Sequence, residues 1–164
     1  MTRFLLLIIF SLSASLAFAV QPAKFVQDGQ WASGRTYHLE VRESPYTRRA
    51  NENEDDGSRW GIDGGFPATF ISTFSLVIDG KKITVPRKLY EDLSSPNIIE
   101  ILDAGPDVRV HIEGGDGAAG YDALYVFKIP HEIERTVRMG ELPDSVWERT
   151  TWHSDPNYEA APKK

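Results

Sequence analysis

Apolar and polar positions alternate with a period of two over most of this chain, and that period predicts half-buried strands. In residues 36–42, Tyr37, Leu39 and Val41 point one way, while His38, Glu40 and Arg42 point the other. Residues 69–78 are rich in β-branched and aromatic side chains. Phe70, Phe74, Leu76 and Ile78 are expected on one face, and Ile71 and Val77 on the other, so this strand should be covered on both sides. Asp79-Gly80 is a strong two-residue turn signal, and residues 81–85 return with Ile83 and Val85 inward. Further strands are expected over 97–102, over the alternation of Val108, Val110 and Ile112, and over 121–129, where Tyr121, Ala123, Tyr125, Phe127 and Ile129 share a face. In the next strand Ile133, Arg135, Val137 and Met139 alternate with Glu132, Glu134, Thr136 and Arg138. Arg135 breaks the apolar face there, which reads as a charged guard on an edge strand. Residues 142–152 add a last short strand around Trp147.

Three segments depart from the alternation. Residues 20–34 carry the turn residues Asp28-Gly29 and Ser33-Gly34 and read as an irregular lead-in. Residues 86–93 predict the one helix. Pro86 suits a first helical position, Leu89 and Leu93 lie a turn apart, and Ser94-Ser95-Pro96 stops it. A helix so short survives only by packing on the sheet. Residues 44–65 contain Pro45, the acidic run of residues 51–57, and Gly61, Gly64 and Gly65, with few aliphatics. A connection this long without regular structure is usually functional or disordered. The fold class that results is all-β: an antiparallel β-sandwich or partly open barrel of about seven strands with one short helix.

The N-terminus changes the picture most. Thr2-Arg3 is a basic start, residues 4–16 are apolar apart from serines, and Ala17-Phe18-Ala19 is a small-x-small cleavage site. This is the pattern of a secretory signal peptide cut between Ala19 and Val20. Its apolar core falls short of the roughly 20 residues that span a bilayer, so removal is favoured over an uncleaved anchor. The expected organisation is a signal peptide at 1–19, a single β-domain at 20–153 and a flexible tail at 154–164. The expected location is the periplasm or the outside, with no membrane anchoring after cleavage. The sequence has no cysteine, which excludes disulfides and lipid attachment at a cysteine.

Charge narrows the partners. The 164 residues carry 18 Lys+Arg and 24 Asp+Glu, a formal net charge of −6. Nucleic acid is a poor fit, because phosphate neutralisation needs clustered cations. The basic clusters are Arg48-Arg49, Lys81-Lys82 and Arg87-Lys88, and none is interleaved in sequence with an aromatic platform.

Candidate chemistry is sparse. Glu52, Glu54, Asp56, Gly57 and Asp63 fall at the first, third, fifth, sixth and twelfth places of a calcium loop. The first place there is normally Asp and the last Glu, no flanking helices are visible, and an acidic solvated loop explains the same letters. His131-Glu132 opens like a zinc-protease helix, but the position that needs the second histidine holds Arg135 and the segment has strand period. His38, His111, His131 and His153 sit on separate elements. No serine occupies a Gly-x-Ser-x-Gly elbow. A carboxylate pair could draw on Asp63, Asp103, Glu113 or Asp116, though Asp63 and Asp116 also suit glycine-rich turns. No cofactor is indicated. The sharper hypothesis is a groove formed by two glycine-rich segments, 60–67 and 114–121, with Trp60, Asp63, Asp116 and Tyr121 as ligand-contact residues and Trp60 or Tyr121 as a stacking face.

Several motifs carry a resemblance. They are the hairpin 74–85 closed by Pro86, Tyr90-Glu91-Asp92-Leu93 before a Ser-Pro turn, Gly114-Gly115-Asp116 leading to Tyr121, and residues 140–151 with Pro143-Asp144 and Trp147-Glu148. Together they cover over half the chain, which resembles a set of small exported bacterial proteins of unknown function. The resemblance implies a single exported domain and assigns no catalytic residue. The leading expectation is a non-enzymatic exported module that binds a protein or a cell-envelope component. The alternatives are a hydrolase or lyase on envelope polysaccharide, and a secreted inhibitor or immunity-type partner whose exposed loop, residues 46–63, orders in a complex.

Overall fold

The computed structural model describes residues 22–50, 52, 59–115, 117–129 and 131–154, without the side chain of Pro143. The expected signal peptide at 1–19, all of the expected tail 154–164 except Ser154, and the individual positions Glu54, Asp56, Gly57 and Asp116 lie outside the described residues.

Among the described residues, nine antiparallel strands form two open sheets in a sandwich-like, all-β arrangement. The first sheet holds β1 (Lys24–Gln30), β2 (Thr36–Pro45), β3 (Thr69–Ile78) and β4 (Lys81–Ile83), in that order. The second holds β5 (Pro96–Ala104), β6 (Asp107–Gly114), β7 (Tyr121–Lys128), β8 (Glu132–Met139) and β9 (Leu142–His153). Each sheet is a meander, so every strand pairs with its sequence neighbour. Asp79 and Gly80 both have positive φ (50° and 75°), the backbone of a two-residue turn whose twist matches the strands it joins.

The alternation of the second sheet is observed as read. Val108, Val110 and Ile112 of β6, Tyr121, Ala123, Tyr125 and Phe127 of β7, and Ile133 and Val137 of β8 are buried. They meet Leu39, Val41, Phe74, Leu76 and Ile78 of the first sheet in one core. The Phe74 ring contacts Tyr125 edge-on at 5.1 Å and Phe127 at 6.0 Å, which joins the two sheets.

Four expectations require correction. The lead-in is a strand, since β1 pairs with β2 residue for residue from Lys24↔Arg42 to Gln30↔Thr36. Its Asp28-Gly29 turn signal is overridden because Gly29 lies opposite Tyr37, whose ring covers it. The parity of β3 is also different. Arg42 pairs with Thr73 and Glu43 with Ile71, which leaves Ser72 as an extra residue. That bulge turns Ile71 into the core and Phe70 away from full burial. The helix expected at 86–93 is a single 3-10 turn, Arg87–Leu89, without a side-chain cap. Finally, β8 is an interior strand between β7 and β9, because 148–153 pair with 132–137 residue for residue and Val146 and Leu142 continue the ladder past a bulge.

Arg135 is therefore no edge guard. Its side chain is 1% exposed, and Nη1 and Nη2 donate to the two carboxylate oxygens of Asp92 at 3.0 and 2.7 Å. Glu148 on β9 lies 3.7 Å away. Burial lifts the Asp92 carboxyl above the usual carboxylate range even with the guanidinium beside it. Residues 86–95 thus cross the second sheet pinned at two points, since the Tyr125 hydroxyl also donates to the Leu89 carbonyl at 2.5 Å.

Candidate functional site

The crossing segment and the long connection meet at one end of the sandwich. Trp60 donates its amide to the Asp92 carbonyl at 2.8 Å and accepts from the Ser94 amide at 3.1 Å. Ile71 of β3 donates to the Leu93 carbonyl at 3.0 Å. Trp60 is thereby stitched to 92–94, and two clefts open beside the seam.

The first cleft measures about 560 Å³ and is cationic. Its foundation is Glu52. The Tyr46 hydroxyl donates to Glu52 Oε1. Arg59 Nη2 donates to the same oxygen and to Tyr46 Oη, each at 3.0 Å. The Arg49 amide donates to Glu52 Oε2 at 2.9 Å. These donors, with the Tyr46 hydroxyl foremost, hold the Glu52 carboxyl down to about 2. Burial and the Glu52 carboxylate push the Tyr46 phenol above its usual range. The Arg59 guanidinium also lies over the Tyr46 ring, 4.4 Å from its centroid, and Arg48 lies over Phe66 at 4.5 Å. Phe70, turned away from the core by the β3 bulge, meets Tyr46 edge-on at 6.2 Å and lines the cleft. Arg49, Arg87 and Lys88 complete it. Arg87 pairs with Glu91 at 2.8 Å. Among the described residues the Arg49 guanidinium and the Lys88 ammonium have no ion-pair partner. Such a cleft can hold a carboxylate, sulfate or phosphate beside an aromatic edge.

The second cleft, about 580 Å³, lies between the two glycine-rich segments and includes Asp63. Its walls touch backbone to backbone. A β-carbon on Gly61 would stand 2.8 Å from the Ser94 carbonyl oxygen, 2.9 Å from the Tyr121 ring and 3.1 Å from Gly115 Cα, and Gly61 has φ of 87°. Glycine is required there for both reasons.

The four residues expected to contact ligand are placed unequally. Asp63 is exposed on the glycine cleft. Trp60 is half-buried beside it and meets the exposed Trp147 of β9 at 5.6 Å. Asp116, between Gly115 and Gly117, lies outside the described residues. Tyr121 is 2% exposed, with its ring beneath Gly61 and Gly114, so it offers no stacking face. Of the calcium candidates, Glu52 is committed to Tyr46, Arg49 and Arg59, Asp63 sits in the other cleft, and Glu54 and Asp56 lie outside the described residues. No group of three or more His, Asp or Glu suited to a metal occurs among the described residues. Asp103 is held by Arg35 at 3.3 Å, and Glu113 lies 3.6 Å from His111.

The sequence reading proposed none of Arg59, Tyr46 and Lys88 as a ligand contact, and noted Arg87-Lys88 only as a basic cluster. Arg48-Arg49 and Arg87-Lys88 lie far apart in the chain, and Arg48 meets its aromatic partner, Phe66, only through folding. The available signal was Tyr46, two residues before Arg48. No family model, curated protein or solved structure matches the chain.

Proposed function

We propose that the chain is an exported, non-enzymatic binding module, and that its cationic cleft takes a carboxylate-bearing component of the cell envelope. One observation carries the reading. Arg59 is clamped by Glu52 and the Tyr46 ring inside a cleft where two further cations, Arg49 and Lys88, have no ion-pair partner among the described residues, in a chain of net charge −6. A fixed guanidinium costs little to order on binding, and free cations beside it attract and register an anion. The signal-peptide pattern at 1–19 supports export, and with it an envelope partner.

Calorimetric titration with oligogalacturonate tests the site. Saturable binding is expected, together with at least a tenfold loss in the Arg49→Glu/Lys88→Glu variant and none with a neutral oligosaccharide. Equal affinity in the variant, or no binding, rejects the cleft. A second reading, hydrolysis or lysis of the same polymer, is favoured by Glu91 and the raised carboxyl of Asp92 in this cleft. Both carboxylates already serve arginines. Release of shorter oligosaccharides, abolished by Glu91→Gln, would establish it instead.

A further inference from the structure

The opposite end of the sandwich opens into a mouth with an apolar interior and a polar rim. β4 stops after Ile83, and the ends of β7, β8 and β9 bring Phe127, Ile133 and Trp152 to the same place. A cleft of about 480 Å³ results, within the roughly 300–1,000 Å³ common for small-molecule sites. Its floor is the buried side chains of Ile78, Phe127 and Ile133, and its walls are the half-buried Ile83, Ile129 and Trp152.

The rim is cationic. Its two acids are engaged. Asp79 accepts the Thr36 amide at 2.8 Å and lies 3.8 Å from Arg35, and Glu132 pairs with Lys128 at 2.7 Å and His153 at 3.3 Å. Lys81 and Lys82 are exposed and have no partner among the described residues. A cleft with apolar walls, bordered by two lysines that no described acid compensates, matches a molecule with an apolar tail and an anionic head.

We infer that this mouth binds a single-chain anionic amphiphile, with the acyl chain on Ile83, Ile129 and Trp152 and the head group at Lys81 and Lys82. The tail loses water by covering side chains that are already half-buried, so its contribution scales with length. The head adds orientation and selects sign.

The test is an NMR titration of the full chain, following the side chains of Ile83, Ile129 and Trp152 with decanoate, octanoate and decyltrimethylammonium, each below its micellar concentration. Decanoate should give saturable shifts confined to this mouth. It should bind about tenfold more tightly than octanoate, the effect of two buried methylenes. The Lys81→Glu/Lys82→Glu variant, altered only at exposed positions, should lose at least tenfold affinity for decanoate with an unchanged thermal midpoint. Equal binding of the cationic amphiphile, no dependence on chain length, or shifts located elsewhere would overturn the inference.

Discussion

The centre of the second sheet and the loop end of the first both hold an arginine against a carboxylate, and they use it differently. Arg135 is enclosed by β7, β8 and the crossing segment, with both Asp92 oxygens engaged. Arg59 is half-buried, stacked on Tyr46 and bonded to Glu52, and it faces an open cleft. The first arrangement keeps its guanidinium out of solvent, so it locks architecture. The second immobilises one cation and leaves its neighbours exposed, so it organises a surface. Burial decides between the two roles, because a buried pair severed on one side strands a charge in low dielectric, whereas a surface pair is replaced by water.

That contrast can be broken from its strongest point downward. Asp92→Ala should cost about 3 kcal/mol, the low end for a severed buried pair, because Glu148 remains near the stranded Arg135. Urea unfolding measures it, and the double variant Asp92→Leu/Arg135→Met should recover most of the loss. A single variant as stable as the parent would mean that the pair does not pin the crossing segment.

Gly61→Ala should cost about 1–3 kcal/mol through a left-handed backbone and the approach to the Ser94 carbonyl. The same substitution should perturb the NMR signals of Gly115 and Tyr121 while sparing Phe127. An effect spread evenly over both ends would show that the two ends are not independent.

Glu52 sharpens the comparison by pH. Its folded carboxyl is depressed to about 2 from 4.5. The stability it provides is therefore complete above pH 4.5 and is lost as pH falls toward 2, because the unfolded chain takes up the proton first. Glu52→Gln should flatten stability across that window. Carboxyl NMR titration giving Glu52 an ordinary midpoint would remove the clamp on Arg59. The smallest effect belongs to Lys128, which touches both Glu132 and Glu134 on the surface. Lys128→Ala should leave the urea midpoint unchanged, and a clear drop would deny that burial separates the two kinds of pair.

The second sheet was readable because its strands face a core on one side and solvent on the other. Tyr121, Ala123, Tyr125 and Phe127 announce their face without help. Where the reading failed, one local rule had lost to a tertiary contact. Gly29 stays in a strand because Tyr37 covers it. Ile71 and Phe70 exchanged faces because one extra residue, Ser72, shifts every side chain on its N-terminal side. Arg135 looked like an edge residue because its partner, Asp92, comes from a segment 43 residues away. The candidate cleft was less readable still. Its parts, 46–49, 59, 70 and 87–88, share no periodicity, and only their shared seam with the crossing segment assembles them.

By itself, then, the sequence determined the all-β class, the Asp79-Gly80 hairpin and the core faces of β2, β6, β7 and most of β8, since period-two burial is a local property. Only the tertiary structure decided strand order, the parity of β3, the burial of Arg135 and the gathering of scattered cations around Tyr46. Those depend on which segments meet across the core, and the free energy of such meetings is not written in any one stretch of chain.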